Sequence, residues 1–120
     1  MLKTGASLPA AMPRVIELSS KNFDKILRSS KKLFVDFWAP WCVPCMKMNP
    51  VVEKLADRHS SITFAKINVD VDENQEIANR FHISSIPAYV MFNDSTPASS
   101  KIGATSEAEL ERWLRDDRSL

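Results

Sequence analysis

The alternation of apolar and polar positions along the chain predicts short strands and amphipathic helices. Five segments have the length and composition of strands, namely Val15–Leu18, Leu33–Trp38, Ile62–Val69, Ala88–Phe92 and Ala98–Ile102. The second is apolar on both faces except at Asp36, a pattern typical of a central parallel strand that helices cover on both sides. Pro97 directly precedes the last strand. Because proline cannot donate a ladder hydrogen bond, we expect this strand at an edge of the sheet.

The segments between the strands have helical periodicity, and they predict four helices. The first helix is capped by Ser19 or Ser20 and is buried through Phe23, Ile26 and Leu27, and the second runs from about Cys42 to Arg58. The third is a short helix that is capped by Asp72 and buried through Ile77 and Phe81. The capping box Ser106–Glu109 opens the fourth helix. Pro50 lies inside the second helix, where we expect it to cause a kink. The order βαβαβα followed by ββα predicts an α/β fold, with a mixed sheet covered by helices on both faces.

Length and charge narrow the class of protein. A chain of 120 residues is enough for one domain with one hydrophobic core. The formal net charge is +1, from 16 Lys and Arg against 15 Asp and Glu, so we expect neither nucleic acid nor a membrane as a partner. We interpret residues 1–13 as a flexible N-terminal arm before a domain at 14–120. The arm lacks acidic residues, so a remnant of an organelle transit peptide is the alternative.

The candidate chemistry lies in the only two cysteines of the chain, Cys42 and Cys45. They stand three apart at the start of a predicted helix, where two thiols can close into a small disulfide ring and open again. The unpaired N–H groups of a helix start favour a thiolate, which indicates thiol–disulfide exchange. Zinc is the alternative, but it prefers four ligands. His59 and His82 stand too far from the cysteines in sequence for zinc-finger spacing, so we interpret both as surface or core-edge residues.

Several segments together resemble the thioredoxin family, in order and in spacing, from about Val15 to the end of the chain. They are Val35–Cys45, the helix proline Pro50, Ala65–Asp70, the pair Ile86 and Pro87, and Lys101–Ala104. The resemblance implies a thioredoxin fold, with a central mixed five-stranded sheet flanked by four helices. The departures from the family pattern are Val43 in place of the usual glycine, Ala88 in place of threonine, and Ser95 in place of the hairpin glycine.

The resemblance also implies catalytic roles. Cys42 is the expected nucleophile, and the resemblance implies that its pKa is lowered to about 7, the value known for thioredoxin. Cys45, one turn into the helix, attacks the mixed disulfide and releases the reduced substrate. Asp36 is expected to accept the proton of Cys45, and burial should raise its pKa. Lys66, on what should be the neighbouring strand, is its expected partner. No metal or other cofactor is implied.

A second set of residues is expected to bind substrate: Trp41, Val43, Pro44, Ile86, Pro87 and Gly103. Trp41 should form a flat apolar rim, while Trp38 packs behind the loop. Pro87 corresponds to the family's cis-proline, which would leave the Ile86 backbone free to pair with an extended substrate segment. Pro44 stands where isomerase-like domains carry a histidine, and the absence of that histidine favours a reductant.

The function implied by the resemblance is the reduction of protein disulfides through a reversible Cys42–Cys45 dithiol. The expected partners are disulfide-containing proteins and, as electron donor, a thioredoxin reductase. We expect a cytoplasmic monomer, or an organelle protein if the N-terminal arm is a transit remnant. The alternatives are a more oxidising oxidase or isomerase-like domain, a binding module without turnover, and an iron–sulfur-bridged dimer.

Overall fold

The computed structural model describes residues 14–116 and shows five strands and four α-helices in that range. In chain order they are β1 Val15–Leu18, α1 Phe23–Ser29, β2 Lys32–Trp38, α2 Val43–Arg58, β3 Thr63–Asn68, α3 Gln75–Arg80, β4 Ala88–Asn93, β5 Thr96–Ile102 and α4 Glu107–Asp116. The strand order in the sheet is β1-β3-β2-β4-β5. β1, β3 and β2 run parallel, whereas β4 and β5 are antiparallel additions. The predicted mixed sheet is confirmed, and the expected arm at 1–13 lies outside the described residues.

Each face of the sheet has its own apolar core. The face covered by α2 and α4 buries Val15, Phe34, Met48, Val52, Leu55, Phe64, Tyr89, Met91, Leu110 and Leu114. The face covered by α1 and α3 buries Leu18, Phe23, Leu27, Leu33, Val35, Phe37, Ile67, Ile77, Val90 and Phe92. Alternate residues of β2 therefore enter opposite cores. This explains why the strand is apolar at almost every position, as predicted for a strand covered on both sides.

Two predicted helix starts are wrong. α1 begins after Asn22 rather than after a serine cap, because the Asn22 side chain turns back to accept the Ser19 backbone N–H at 2.8 Å. The backbone carbonyl of Ser19 in turn accepts the N–H groups of Asn22 and Phe23. Asp72 opens a short 3₁₀ turn, Asp72–Asn74, and α3 follows only at Gln75. Local turn hydrogen bonds thus shift both starts by a few residues.

The edge position of β5 and the cap of α4 confirm the sequence-based expectations. β5 is the edge strand, so no strand on its outer side needs the backbone N–H that Pro97 lacks. The hairpin from β4 to β5 turns through Asp94 and Ser95 with φ of 49° and 71°, the positive values that a tight hairpin requires. Glu109 donates its backbone N–H to Ser106 Oγ at 3.2 Å, which is the expected cap of α4.

One residue from each strand forms a titratable row across the sheet. Glu17 lies opposite Lys66, Lys66 opposite Asp36, Asp36 opposite Tyr89, and Tyr89 opposite Lys101. Residues paired in register point to the same face, here the one covered by α2 and α4. We call these five residues the polar row. Asp36 stands two residues before the end of β2 at Trp38, so the row lies near the end of the strand that leads to α2.

Candidate active site

Cys42 and Cys45 form a disulfide at the junction of β2 and α2, with their Cα atoms 5.2 Å apart. Cys42 is the N-cap residue of α2 in an extended conformation, and its sulfur accepts the Cys45 backbone N–H at 3.3 Å. Cys42 is 6% exposed and Cys45 is 1% exposed. The Cys42 sulfur thus lies at the N-terminus of α2, and the Cys45 sulfur lies one helical turn behind it.

The start of α2 favours negative charge on Cys42. Helix N-terminal N–H groups carry partial positive charge, and the N–H of Cys45 already points at the Cys42 sulfur. When the disulfide is reduced, the same N–H can donate to a thiolate, and hydrogen bonds to an ionised acceptor are the stronger kind. Pro44 occupies the first turn, where its missing N–H costs nothing and its fixed φ suits a helix start.

Exposed apolar side chains surround the disulfide. Trp41 is 65% exposed, Val43 64% and Met46 45%. Trp41 is held in place by a hydrogen bond from its Nε1 to Asp70 Oδ1 at 2.9 Å. A cavity of about 150 Å³ lies between Trp41 and Ile86. We call Trp41, Val43, Met46 and Ile86 the apolar rim, and it offers contact area for an apolar segment next to the sulfurs.

The Ile86–Pro87 peptide bond is cis, as the resemblance implied. Pro87 is buried, and Ile86 packs against the apolar cluster that contains both cysteines. Gly103 donates its backbone N–H to the Pro87 carbonyl at 2.8 Å. Its φ is +95°, a conformation that side chains disfavour, so glycine suits this position. Gly103 therefore supports the segment that faces the disulfide.

Asp36 is the buried carboxyl group of the site, with 2% of its surface exposed. Burial raises its pKa from 3.8 to about 7, the charge of Lys66 lowers it, and the charge of Glu17 raises it. Among the described residues, Asp36 Oδ1 has no hydrogen-bond partner. A carboxyl group with a pKa near neutrality can both take up and give back a proton under ordinary conditions.

Lys66 lies opposite Asp36 as expected, but its closest acidic contact is with a different residue. Its Nζ is 3.9 Å from Glu17 Oε1, and it also stands 5.1 Å above the Trp38 ring centroid. Lys66 thus acts on Asp36 through its charge rather than through contact. Trp38 packs against the cysteine cluster, as predicted for a tryptophan behind the loop.

The histidines lie outside this arrangement. His59 is half-buried, and its Nε2 is 3.0 Å from Glu111 Oε2 on α4. His82 is exposed just after α3. Within residues 14–116, no group of three or more His, Cys, Asp or Glu side chains is placed to hold a metal ion. Over the same range, no helix has the length and apolar character needed to cross a membrane.

Sequence reasoning missed four residues of this region: Glu17, Met46, Asp70 and Tyr89. Met46 follows Cys45 directly, so its place on the exposed side of α2 was available from helical periodicity. The ion pair of Glu17, the hydrogen bond of Asp70 and the position of Tyr89 opposite Asp36 all depend on strand register. Periodicity within a strand specifies which face each residue occupies, but it does not specify which residue of the next strand lies opposite.

The chain is similar to known proteins over nearly all of its described part. The family model for thioredoxin matches residues 14–116. A thioredoxin of Mycolicibacterium smegmatis is 45% identical over 92 residues, 76% of this chain and 82% of that protein. A bifunctional thioredoxin reductase/thioredoxin of Mycobacterium leprae is 41% identical over 95 residues, 78% of this chain and 20% of that protein.

A solved structure gives the same result. Mitochondrial thioredoxin 3 from Saccharomyces cerevisiae, in its oxidised form, superposes with a TM-score of 0.76 at 30% identity and covers 85% of this chain and 94% of its own. The fold, the helix-start disulfide and the sequence similarity lead to one conclusion. The chain belongs to the thioredoxin family and is a thiol–disulfide oxidoreductase that reduces protein disulfides.

Proposed function

We propose that this oxidoreductase is a general reductant in which Cys42 attacks the substrate and Cys45 resolves the intermediate. The Cys42 thiolate attacks one sulfur of a substrate disulfide, which forms a mixed disulfide and releases the other substrate sulfur as a thiolate. Cys45 then attacks the Cys42 sulfur, so the Cys42–Cys45 disulfide closes and the second substrate thiolate leaves. The observation that carries this assignment is the Cys42 sulfur at the N-terminus of α2, with Cys45 one turn behind.

Asp36 is the proposed proton acceptor for the second step. Cys45 must lose its proton to become a nucleophile, and its surroundings are apolar and buried. A carboxyl group whose pKa is about 7 takes that proton at neutral pH. Lys66 supports the role because its charge stabilises the ionised form of Asp36 that the step consumes.

The proposed substrate-binding surface consists of Trp41, Val43, Pro44, Ile86, Pro87 and Gly103. Trp41 and Val43 supply exposed apolar area, which is a feature of surfaces that bind other proteins. The backbone beside the cis bond is the proposed partner for an extended substrate segment. Gly103 supports this surface by donating its backbone N–H to the Pro87 carbonyl.

Reduction of substrate leaves the protein oxidised, so a donor must restore the dithiol. We assign this role to a thioredoxin reductase. The similar protein of Mycobacterium leprae supports this assignment, because its name describes a thioredoxin reductase and a thioredoxin in one protein. We also propose that the protein is a monomer whose apolar rim makes transient contacts, and that it works in the cytoplasm, where a reducing poise maintains dithiols.

The assignment of the two cysteines is tested by insulin reduction with a thioredoxin reductase and NADPH, together with trapping of substrates. Cys42→Ser should abolish reduction and trap nothing. Cys45→Ser should also stop turnover but should accumulate covalent mixed disulfides, because attack by Cys42 remains while resolution is lost. Each variant is the matched control of the other. Trapping by Cys42→Ser alone would invert the two roles.

A further inference from the structure

Two neighbouring residues of the polar row bury polar atoms that lack a hydrogen bond among the described residues. They are the Asp36 carboxyl oxygen Oδ1 and the Tyr89 hydroxyl. The two residues lie directly opposite each other on β2 and β4, and they are 2% and 0% exposed. Buried polar groups in folded proteins nearly always have a partner. Two such groups side by side therefore point to a partner that they share.

Packing accounts for the Tyr89 ring but not for its hydroxyl. The ring stacks on Phe34 with centroids 5.6 Å apart and an interplanar angle of 28°, inside the core under α2 and α4. A phenylalanine would fill that space without burying an oxygen. The hydroxyl is thus the feature of this side chain that needs another explanation.

We propose that Tyr89 is a positioning residue for Asp36, and that its hydroxyl donates a hydrogen bond to the ionised carboxylate through one buried water. Trp38 Nε1, on the same face of β2, is also buried without a partner in the described part of the chain. A buried water needs two to four polar neighbours. Asp36, Tyr89 and Trp38 together supply three.

The protonation state of Tyr89 fits the role of a donor. Burial raises the pKa of its phenol, and the charge of Asp36 raises it further. The phenol therefore keeps its proton at neutral pH and presents an O–H to the carboxylate. Hydrogen bonds to the charged form of an acid favour that form. Tyr89 thus lowers the pH at which Asp36 ionises and partly offsets the effect of burial.

The elements around Asp36 other than β4 present charged or apolar groups to it, and none of these groups is a neutral hydrogen-bond donor. From β3 and β1, the charges of Lys66 and Glu17 act on it in opposite directions. On the other side Tyr89 separates it from Lys101 of β5. The helices covering this face present apolar side chains such as Met48 of α2 and Leu110 of α4. The hydroxyl of Tyr89 is therefore the polar group that β4 places against this carboxyl.

The first test measures the ionisation of Asp36 by ¹³C NMR of its carboxyl carbon in the oxidised full chain. Tyr89→Phe should raise the pKa of Asp36 by about one unit, a tenfold change in proton affinity. The matched control is Met91→Leu, which alters packing two residues further along the same strand without adding or removing a hydrogen-bond donor. Equal Asp36 titrations in wild type and Tyr89→Phe would overturn the inference.

The second test needs no substitution at position 89, so it holds even if Tyr89→Phe fails to fold. Tyr89 is the only tyrosine of the chain, and its Cζ resonance reports on the phenol alone. In wild type this resonance should move as Asp36 titrates, and in Asp36→Asn it should stay constant over the same pH range. A wild-type Cζ resonance that does not follow Asp36 would contradict the proposed link.

The third test distinguishes a failure of this inference from a failure of the proposed catalytic role of Asp36. Only the kinetic consequence of the inference rests on that proposed role. The rate at which Cys45 resolves a mixed disulfide should have an acid limb at the Asp36 pKa. Tyr89→Phe should move that limb upward by the shift measured by NMR. If the NMR titration moves and the rate profile does not, the catalytic role of Asp36 fails and the coupling stands. If Asp36→Asn changes the profile while Tyr89→Phe changes neither measurement, the coupling fails.

Discussion

Replacing Asp36 by asparagine should stabilise the oxidised protein, and the gain should grow with pH. The folded-state pKa is raised to about 7 from 3.8 by burial, so between these values the folded state holds a proton that the unfolded state has lost. Stability therefore falls as the pH rises from about 4 to about 7 and stays low above it. The difference corresponds to about 4 kcal/mol, since one pKa unit equals about 1.36 kcal/mol. The asparagine variant carries no such penalty.

Urea unfolding of both oxidised proteins between pH 4 and pH 8 measures this effect. The stability gap between Asp36→Asn and wild type at pH 8 should exceed the gap at pH 4 by up to about 4 kcal/mol. Effects of the amide on packing cancel in this comparison, because they do not depend on pH. Asp57→Asn is the matched control, because it makes the same substitution at a side chain that is 65% exposed.

A stability gap that is the same at pH 4 and pH 8 would refute the reasoning. It would mean that the carboxyl group ionises in the folded protein as readily as in the unfolded chain. Burial of Asp36 would then have no effect on the free energy of unfolding, even though its Oδ1 has no hydrogen-bond partner among the described residues. A gap that shrinks with increasing pH would require a contact that stabilises the ionised form more than burial destabilises it.

Three further predictions concern the site and the N-terminal arm. Val43→Gly should alter the relative rates among substrates, because it removes an exposed apolar side chain. The redox potential should stay at about −270 mV, the value known for thioredoxin. A wild-type potential above about −200 mV would contradict this prediction. Lys66→Met should move the acid limb of mixed-disulfide resolution to higher pH, because Lys66 lowers the pKa of Asp36; an unchanged limb would show that its charge does not reach the carboxyl. Deleting residues 1–13 should leave insulin reduction unchanged, since β1 begins at Val15; a clear loss of activity would place the arm at the site.

Local pattern was enough to predict the elements and the chemistry. Apolar runs and helical periodicity located the five strands and four helices of residues 14–116 to within a few residues, because each pattern reflects burial of one segment against its neighbours. The spacing of Cys42 and Cys45 at a helix start was sufficient to indicate thiol–disulfide exchange, since both sulfurs belong to one turn of one element. The buried state of Asp36 was likewise readable, because the residues around it in β2 are apolar on both faces.

Resemblance to a family contributed what local pattern does not determine. The cis conformation of the Ile86–Pro87 bond is a minority state for any X–Pro pair, and no property of the segment alone predicts it. The assignment of Asp36 to Cys45 is of the same kind, because it joins two elements whose packing is set by the whole fold. Family knowledge supplies such pairings because the fold has already been solved elsewhere.

Only the tertiary structure decided which polar groups meet. Lys66 was expected to pair with Asp36, but strand register also brings Glu17 to Lys66, and the ion pair forms there. Tyr89 looks like an ordinary strand residue in the sequence, yet register places it opposite Asp36 with its hydroxyl buried. A strand's side-chain pattern specifies which face each residue occupies, whereas its neighbour on the next strand depends on the packing of the entire sheet. The sequence by itself therefore determined the elements and the reacting sulfurs, and the assembled sheet decided the surroundings that tune them.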